Sequence, residues 1–230
     1  IPGVFGPIRK NVTIEFWMKC HSLADWNQSA GPGWGQFMFH ANANGTLTAG
    51  WDISARCNAT GALKLEKWQH IAIVVERGKM SVYVDGAKKA SCNSSYTGVG
   101  GFGDLTFSAS ASGGFDAEID ELRIWDKTFN DFDVYGRSVE VGSAGLMDKL
   151  LVYYKGDVIR SGGEYKLREY GPNRTHASLL NANFSVIPAT DLKLSSSSLL
   201  APQVVAPTED IYVGVPVKLT AIAKRGAETV

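Results

Sequence analysis

Seven of the ten asparagines in this 230-residue sequence begin an Asn-x-Ser/Thr triplet: Asn11, Asn27, Asn44, Asn58, Asn93, Asn173 and Asn183. The side-chain amide of such a sequon accepts an N-linked glycan in the secretory pathway, and chance would supply roughly one sequon in a chain of this composition. An accident of a Ser/Thr-rich chain explains so large an excess poorly. The sequence therefore predicts a glycosylated extracellular or cell-surface protein whose sequon asparagines lie on exposed loops or solvent-facing strand positions.

The three cysteines are a second group of residues whose side chains could form bonds, either as a disulfide or to a metal. Cys20, Cys57 and Cys92 are widely spaced, with no C-x-x-C pair and no His at zinc-finger spacing, which argues against a structural zinc site. In an oxidising compartment the simplest count is one disulfide and one leftover thiol. Cys57 and Cys92 each stand directly before a sequon, so both are expected near the surface, whereas Cys20 ends an apolar period-two run and is expected to be buried. We favour a Cys57–Cys92 disulfide, although spacing does not fix the connectivity.

The segments that position these residues are predicted to be β-strands. Residues 11–20 alternate apolar and polar side chains, which is typical of a half-buried strand, and further β segments are predicted near 35–41, 46–55, 70–76, 80–86, 105–110 and 115–125. Gly, Asn and Asp clusters separate them, and no long amphipathic helix is evident. An all-β antiparallel sandwich is therefore favoured over alternating βαβ units, with one short helix predicted over 128–140, capped by Thr128 or Asn130.

Four segments carry a family resemblance: VTIEFWMKC at 12–20, WQHIAIVVERGKMSVYVDGAKKA at 68–90, AEIDELRIWDKTFNDFDV at 117–134 and, more weakly, GLMDKLLVYYKGDV at 145–158 with LREYGPNRTHASLLN following. Together they resemble the laminin-G-like, concanavalin-A-like lectin/glucanase superfamily of jelly-roll domains. The resemblance implies a non-catalytic antiparallel jelly-roll β-sandwich over residues 1–187. Within it, Asp85-Gly86 is expected to form a hairpin turn, and His70 to be a structural residue beside Trp68 on its strand, with one ring nitrogen hydrogen-bonded.

The same fold hosts retaining glycoside hydrolases, whose two carboxylates lie on one strand as Glu-x-Asp-x-x-Glu. Here Glu118 and Asp120 begin that pattern, but Arg123 stands where the second catalytic Glu belongs. Retaining hydrolysis requires two carboxyl groups about 5 Å apart. No catalytic residue is therefore predicted. Because Glu118 and Asp120 share their strand phase with apolar Leu122 and Ile124, a bulge is expected near Asp120.

A metal site follows from the resemblance alone. In many relatives the equivalent of Asp120 helps to hold a structural Ca²⁺ together with backbone carbonyls, so Asp120 is the candidate ligand for one calcium ion. The alternative is a plain hydrogen-bonded carboxylate. Asp52 and Asp116 are weaker candidates.

Other motifs contribute little. GVGGFG at 98–103 matches a dinucleotide-binding pattern, but a strand follows it where a helix is required. Trp26, Trp34 and Trp51 lie in Gly/Asn/Ser-rich stretches, where exposed rings could contact glycans or a protein partner; the alternative is that they pack beneath long loops.

Charge, hydrophobicity and the predicted domain boundaries limit the classes of function that remain possible. The 23 basic and 23 acidic residues balance, which argues against nucleic-acid partners, and no apolar run approaches the roughly 20 residues needed to insert in a membrane. Residues 188–201 read as a Ser/Pro linker, and 202–230 as the first strands of an incomplete immunoglobulin-like or PKD-like domain. With no initiator Met at Ile1, the segment is interpreted as a piece of a longer protein.

The function predicted from these observations is a non-catalytic adhesion or assembly module of a large N-glycosylated protein. Its expected partners are other extracellular proteins, glycans or copies of itself. Two alternatives are a glycan-binding lectin and a structural subunit of an extracellular coat or filament, including one on a ciliary surface. A glycoside hydrolase is the least favoured class.

Overall fold

The computed structural model describes residues 6–23, 28–31, 38–50, 56–93, 98–100, 105–108, 117–130, 148–172, 174–179, 203–205, 220–222, 224–225 and 228–229. These residues contain a 3-10 helix at Ala43–Gly45 and the strands β1 Asn11–Cys20, β2 Gln28–Gly31, β3 Met38–Asn42, β4 Thr46–Gly50, β5 Arg56–Ala59, β6 Trp68–Glu76, β7 Lys79–Val84, β8 Ala87–Asn93, β9 Thr106–Ser108, β10 Ala117–Trp125, β11 Leu150–Ser161, β12 Glu164–Glu169, β13 Ala177–Ser178, β14 Gln203–Val205, β15 Thr220–Ile222, β16 Lys224–Arg225 and β17 Glu228–Thr229.

Thirteen of these strands form the two sheets of an antiparallel jelly-roll sandwich. The larger sheet has the order β13-β12-β11-β10-β1-β6-β7-β8, and the smaller has the order β5-β4-β3-β2-β9. Phe16 of β1 stacks on Phe39 of β3 with ring centroids 5.1 Å apart, so the two sheets meet face to face. The all-β fold predicted from strand periodicity is confirmed.

Strand β1 lies at the centre of the larger sheet, between β10 and β6. Its alternate residues Val12, Ile14, Phe16 and Met18 are at most 2% exposed and join one core cluster with apolar residues of both sheets. Cys20 ends this run and is buried, as expected. Period-two alternation therefore identified the inward face correctly.

The opposite face of β1 corrects the sequence prediction. A half-buried strand was expected, but Thr13 is 0%, Glu15 5% and Trp17 9% exposed. Phe129 packs against this side of the larger sheet, next to Trp125 at 5.4 Å between ring centroids. The sheet is thus covered on both faces near its centre, and its outward polar groups must find partners within the protein.

Strand β10 contains the bulge expected near Asp120. Glu15 of β1 pairs with Arg123, but Trp17, two residues further along, pairs with Asp120. The extra residue on β10 is accommodated by Glu121, whose φ is 53°. The prediction is confirmed: the bulge separates the phase of Glu118 and Asp120 from that of Leu122 and Ile124.

The predicted hairpin turn at Asp85-Gly86 is also confirmed. Val84 pairs directly with Ala87, which leaves a two-residue loop, and both loop residues have positive φ, 51° and 76°. This is the backbone of a type I′ turn, for which Asp-Gly is a preferred sequence.

The segment after β10 differs from the predicted helix. Residues 128–130 are irregular, and the rest of the predicted helix over 128–140 lies outside the described residues. The Thr13 hydroxyl donates to the Lys127 carbonyl at 2.8 Å and accepts the Phe129 N–H at 3.2 Å. These bonds hold the chain against the sheet and replace those of a first helical turn.

The chain divides into two units, Ile1–Ala189 and Thr190–Val230. The second unit contains two short antiparallel pairs, β14 with β15 and β16 with β17. The predicted linker over 188–201 lies outside the described residues, and the immunoglobulin-like or PKD-like identity of 202–230 stays a prediction. Across the part of the chain that the structure describes, there is no helix with the length and apolar character to span a membrane.

Candidate functional site

The outer face of the smaller sheet presents a row of polar residues. The strand register aligns His40 of β3 with Thr48 of β4, and Thr48 with Asn58 of β5. The Asn42 amide donates to the Thr48 hydroxyl at 2.8 Å, and that hydroxyl donates to the Asn58 carbonyl oxygen at 2.9 Å. In the backbone register, Ser29 of β2 pairs with His40, and Ser108 of β9 pairs with Ser29. Five strands thus place a polar residue at one level of the sheet.

The surroundings of His40 in this row determine the charge of its imidazole. It is 5% exposed, and burial, followed by the positive charge of Arg56, lowers its pKa below the ordinary value of 6.5. The imidazole is therefore neutral at pH 7. Thr48 is also buried, at 4% exposed, so the half-buried Asn42 and the exposed Asn58 are the amides that this row brings to the surface.

The carboxylates of β10 occupy separate environments. Glu118 forms an ion pair with Lys19 at 3.3 Å, and its carboxylate lies 3.0 Å from His21 Nε2. Arg123 is fully buried, and its Nε lies 3.5 Å from Glu15 Oε1. The position where a second catalytic carboxylate would be required therefore holds a buried cation on the outer, covered face of the larger sheet. The prediction that the chain is not an enzyme stays a prediction.

Asp120 lies beside the bulge among other acidic residues. Burial raises the pKa of Asp120, and the charges of Glu121 and Asp157 also raise it, although the Glu121 backbone N–H donates to its Oδ1 at 2.7 Å. Tyr153 donates to Glu121 at 2.6 Å, and Tyr170 donates to Asp157.

These contacts bear on the calcium prediction. Among the described residues, no group of three or more His, Cys, Asp or Glu side chains is arranged to hold a metal ion. The described side chains do not complete a Ca²⁺ site at Asp120, and the calcium ion stays a prediction. Asp52 and Asp116 lie outside the described residues.

Four of the seven sequon asparagines are described, and none is buried. Asn44, Asn58 and Asn93 are exposed, and Asn11 is half-buried at the start of β1. The Thr46 hydroxyl donates to the Asn44 carbonyl oxygen at 2.6 Å, as Thr48 does to Asn58. Both contacts engage the carbonyl oxygen and leave the amide nitrogen, the atom that carries a glycan, out of the bond. Asn27, Asn173 and Asn183 lie outside the described residues.

The cysteine prediction is confirmed in its pairing and wrong in one detail. Cys57 and Cys92 form a disulfide, and Cys20 is a buried thiol. Cys57, expected near the surface, is 0% exposed. Asn58 follows it on the opposite side of β5, so an exposed sequon can stand directly after a buried cysteine.

His70 behaves as the structural residue that was expected. It is 2% exposed, its Nε2 lies 3.1 Å from Glu15 Oε2, and its ring packs edge-on against Trp17. Trp26, Trp34 and Trp51, the predicted contact residues, lie outside the described residues. Glu15 and Thr48 were not singled out from the sequence, although an acidic residue inside an aromatic strand was an available signal for Glu15.

Comparison with known proteins gives the family. Residues 3–134 match the concanavalin A-like lectin/glucanases superfamily, and the chain belongs to it. No curated protein sequence matches the chain.

Several solved structures are similar to this chain. A heptameric SAP-like pentraxin from Limulus polyphemus is 15% identical over 60% of this chain and 74% of its own, with a TM-score of 0.45. Domain 4 of an extracellular arabinanase from Geobacillus stearothermophilus, solved with arabinotriose, is 19% identical over 54% of this chain and 63% of its own, with a TM-score of 0.42. The botulinum neurotoxin serotype C1 binding domain is 14% identical over 57% of this chain and 37% of its own, with a TM-score of 0.43. At these identities the likeness concerns the fold alone.

Proposed function

We propose that this chain is a non-catalytic binding module of a secreted or cell-surface N-glycoprotein, which serves adhesion or assembly through the surface that its glycans leave free. The observation that carries the proposal is the position of the sequons. All four described sequon asparagines reach the surface, and Asn44 and Asn58 hold only their carbonyl oxygens in hydrogen bonds. Glycans can be attached there without disturbing the core.

The disulfide supports the same compartment. Cys57 and Cys92 join β5 to β8, the terminal strands of the two sheets. Structural disulfides persist in oxidising environments and are rare in the cytosol. The bridge and the sequons are independent features, and both favour maturation in the secretory pathway.

The environment of the β10 acids supports a non-catalytic role. Glu118 forms an ion pair with Lys19 and a close contact with His21, and Arg123 is buried against Glu15. A glycosidase pair needs one carboxyl group held protonated as the acid and a second held as the base or nucleophile. The position five residues along β10 from Glu118, where the pattern requires the second catalytic Glu, is occupied by Arg123.

Site-resolved glycan mapping tests the proposal. The chain is secreted from animal cells behind a heterologous signal peptide, and the glycans are removed with peptide-N-glycosidase in H₂¹⁸O, which converts each glycosylated Asn to labelled Asp. We expect the label at Asn44, Asn58 and Asn93. Asn42 and Asn130, which begin no sequon, are internal controls for spontaneous deamidation. Secreted protein with all three sites unlabelled would refute the proposal.

A second candidate function is a lectin that binds through the outer face of the smaller sheet. The hydrogen-bonded row of Asn42, Thr48 and Asn58 favours it, because the buried Thr48 hydroxyl holds two amides nearer the surface in line, where they match the hydroxyl pattern of a sugar. Glycan-array binding by the intact chain, lost in Thr48→Val and kept in the matched hydroxyl deletion Ser91→Ala on β8, would support this function. Trp26→Ala, Trp34→Ala and Trp51→Ala test the predicted stacking rings in the same assay. Binding that survives all four changes would place the site elsewhere.

A further inference from the structure

A cleft lies between the β11–β12 hairpin and the segment leading to β13, beyond residues 3–134 that match the family. We call it the β12–β13 cleft. Its volume is about 310 Å³, and its lining residues are Ile159, Arg168, Glu169, Tyr170, Arg174 and His176. This volume is near the lower end of small-molecule sites, which suits a single sugar unit better than an extended peptide.

The mouth of the cleft is positively charged. Arg168 and Arg174 are both exposed, and no carboxylate of the described residues forms an ion pair with either. Arg168 lies over the Tyr170 ring at 5.0 Å, which orients its guanidinium group. The whole chain has a formal net charge of zero, so this local excess of charge does not reflect a generally basic surface. Paired guanidinium groups bind carboxylate or sulfate oxygens through directed, charge-assisted hydrogen bonds.

Glu169 places hydrogen-bond acceptors in a buried part of the cleft. It is 4% exposed, and its Oε1 accepts the backbone N–H groups of Tyr153 at 3.1 Å and Gly171 at 2.6 Å. Its Oε2 is buried and has no hydrogen-bond partner among the residues that the structure describes. A buried carboxylate oxygen without a donor is costly, and a ligand hydroxyl or a water molecule would satisfy it.

His176 adds a donor beside that acceptor. Its Nδ1 accepts the Glu169 backbone N–H at 3.2 Å, so the neutral ring carries its proton on Nε2. Tyr170 is 36% exposed at the edge of the cleft and offers part of an aromatic ring. Two cations, one buried acceptor, one neutral donor and an aromatic edge together suit a ligand that is both acidic and rich in hydroxyl groups.

We propose that the β12–β13 cleft binds an anionic saccharide unit, a sugar that bears a carboxylate or a sulfate. The acidic group contacts Arg168 and Arg174, and ring hydroxyls reach Glu169 and His176. This inference names a ligand class for the proposed binding module and rests on that function. It differs from the lectin alternative above, which places a neutral sugar on the smaller sheet.

Binding is measured by saturation-transfer NMR and calorimetry on the secreted 230-residue chain in about 0.15 M salt, where long-range attraction is screened. The probes are 3′-sialyllactose for the carboxylate, a sulfated heparin disaccharide for the sulfate, and lactose as the neutral control. Because Asn173 precedes Arg174 in the sequence, N173Q protein is measured in parallel. We expect 3′-sialyllactose or the sulfated heparin disaccharide to bind the unaltered chain, the N173Q protein or both. The Kd of that acidic probe should be at least about tenfold below the Kd of lactose.

Matched charge deletions locate the site. Arg168→Gln and Arg174→Gln should each raise the Kd about fivefold or more, whereas Arg160→Gln, which removes an exposed guanidinium one residue from Ile159 on β11, should change it less than about twofold. All three arginines are exposed, and circular dichroism checks that each variant folds. Equal binding of lactose, equal loss in Arg160→Gln, or no binding by either preparation would overturn the inference. If glycan mapping succeeds while this test fails, the cleft assignment is wrong and the glycoprotein proposal stands.

Discussion

Glu15 is a buried carboxylate at the centre of the larger sheet, and three neighbouring side chains surround it. It is 5% exposed and accepts hydrogen bonds from Trp125 Nε1 at 2.9 Å and His70 Nε2 at 3.1 Å, with Arg123 Nε at 3.5 Å. Burial alone would raise the pKa of Glu15, but the His70 bond and the Arg123 charge outweigh it, so the pKa lies below the ordinary 4.5. A single carboxylate thus compensates a fully buried guanidinium.

This depressed pKa has a definite consequence for stability against pH. Ionised Glu15 contributes stability above its unfolded pKa, near 4.5, and the contribution is lost as the pH falls through the lower folded value. We expect Glu15→Gln to cost about 3 kcal/mol at pH 7, because it leaves the Arg123 charge uncompensated, and to flatten the fall in stability at acid pH. Urea unfolding from pH 7 to 3 measures both effects.

The matched control is Glu66→Gln. Glu66 forms ion pairs with His21 and Lys19, but its side chain is 60% exposed. Exposed pairs contribute little, so we expect a loss below about 1 kcal/mol and an unchanged acid slope. Equal losses in the two variants would show that Glu15 is not the buried counter-ion described above.

Among the elements, the β6–β7–β8 meander depends on two-residue turns. Arg77-Gly78 and Asp85-Gly86 both have two consecutive residues of positive φ. Only the second carries a preferred type I′ sequence, and Arg77 adopts φ 45° without that preference. The first turn therefore retains avoidable backbone strain.

We predict that Arg77→Asn stabilises the chain by about 0.5–1 kcal/mol, because Asn tolerates the left-handed region. Arg77→Val at the same position should destabilise it by about 1–2 kcal/mol, because a β-branched residue is disfavoured there. Thermal unfolding of both variants checks the difference. The turn assignment fails if Asn is no more stable than Val.

The Cys57–Cys92 disulfide closes a loop with a sequence separation of 35. The chain-entropy relation assigns such a bridge about 4 kcal/mol. We expect Cys57→Ala/Cys92→Ala to lose roughly that amount, and Cys20→Ala, which removes a buried sulfur outside any disulfide, to lose only about 1 kcal/mol. If the double variant is not secreted, dithiothreitol titration of the intact chain gives the same comparison. Equal losses would mean that the bridge contributes no more than its packing.

At the scale of the whole molecule, the proposed glycans and the sheet edges coincide. β5 and β8 are the terminal strands at one side of their sheets, and each places an exposed sequon asparagine, Asn58 or Asn93, directly after a linked cysteine. Unprotected terminal strands present free backbone groups to other chains. Glycans at these two positions would block edge-to-edge pairing.

Removing them should therefore promote association. We predict that secreted Asn58→Gln/Asn93→Gln protein forms larger species in sedimentation velocity at concentrations where Asn11→Gln/Asn44→Gln protein keeps the mass of the unaltered chain. The control pair also loses two sequons, but neither lies on β5 or β8. Identical sedimentation of the two pairs would contradict the shielding role.

Local features were readable from the sequence because local rules govern them. Period-two alternation located β1 and its inward face, Asp85-Gly86 specified a type I′ turn, and the phase conflict around Asp120 required a bulge. Motifs at 68–90 and 117–134 indicated the family, and the position of two cysteines directly before sequons favoured the correct pair.

Tertiary structure alone decided which polar residues are buried. Alternation cannot tell a solvated face from one covered by another part of the chain, so the burial of Glu15 and Arg123 was not predicted, although the aromatic strand around Glu15 was a signal, and Cys57 was expected nearer the surface. The β12–β13 cleft combines residues from β11, β12 and the segment before β13, and only folding brings them together. Whether a polar side chain is buried, and whether residues from separate elements meet in one cleft, depends on what packs against each strand. The spacing of residues within a strand carries no information about that packing.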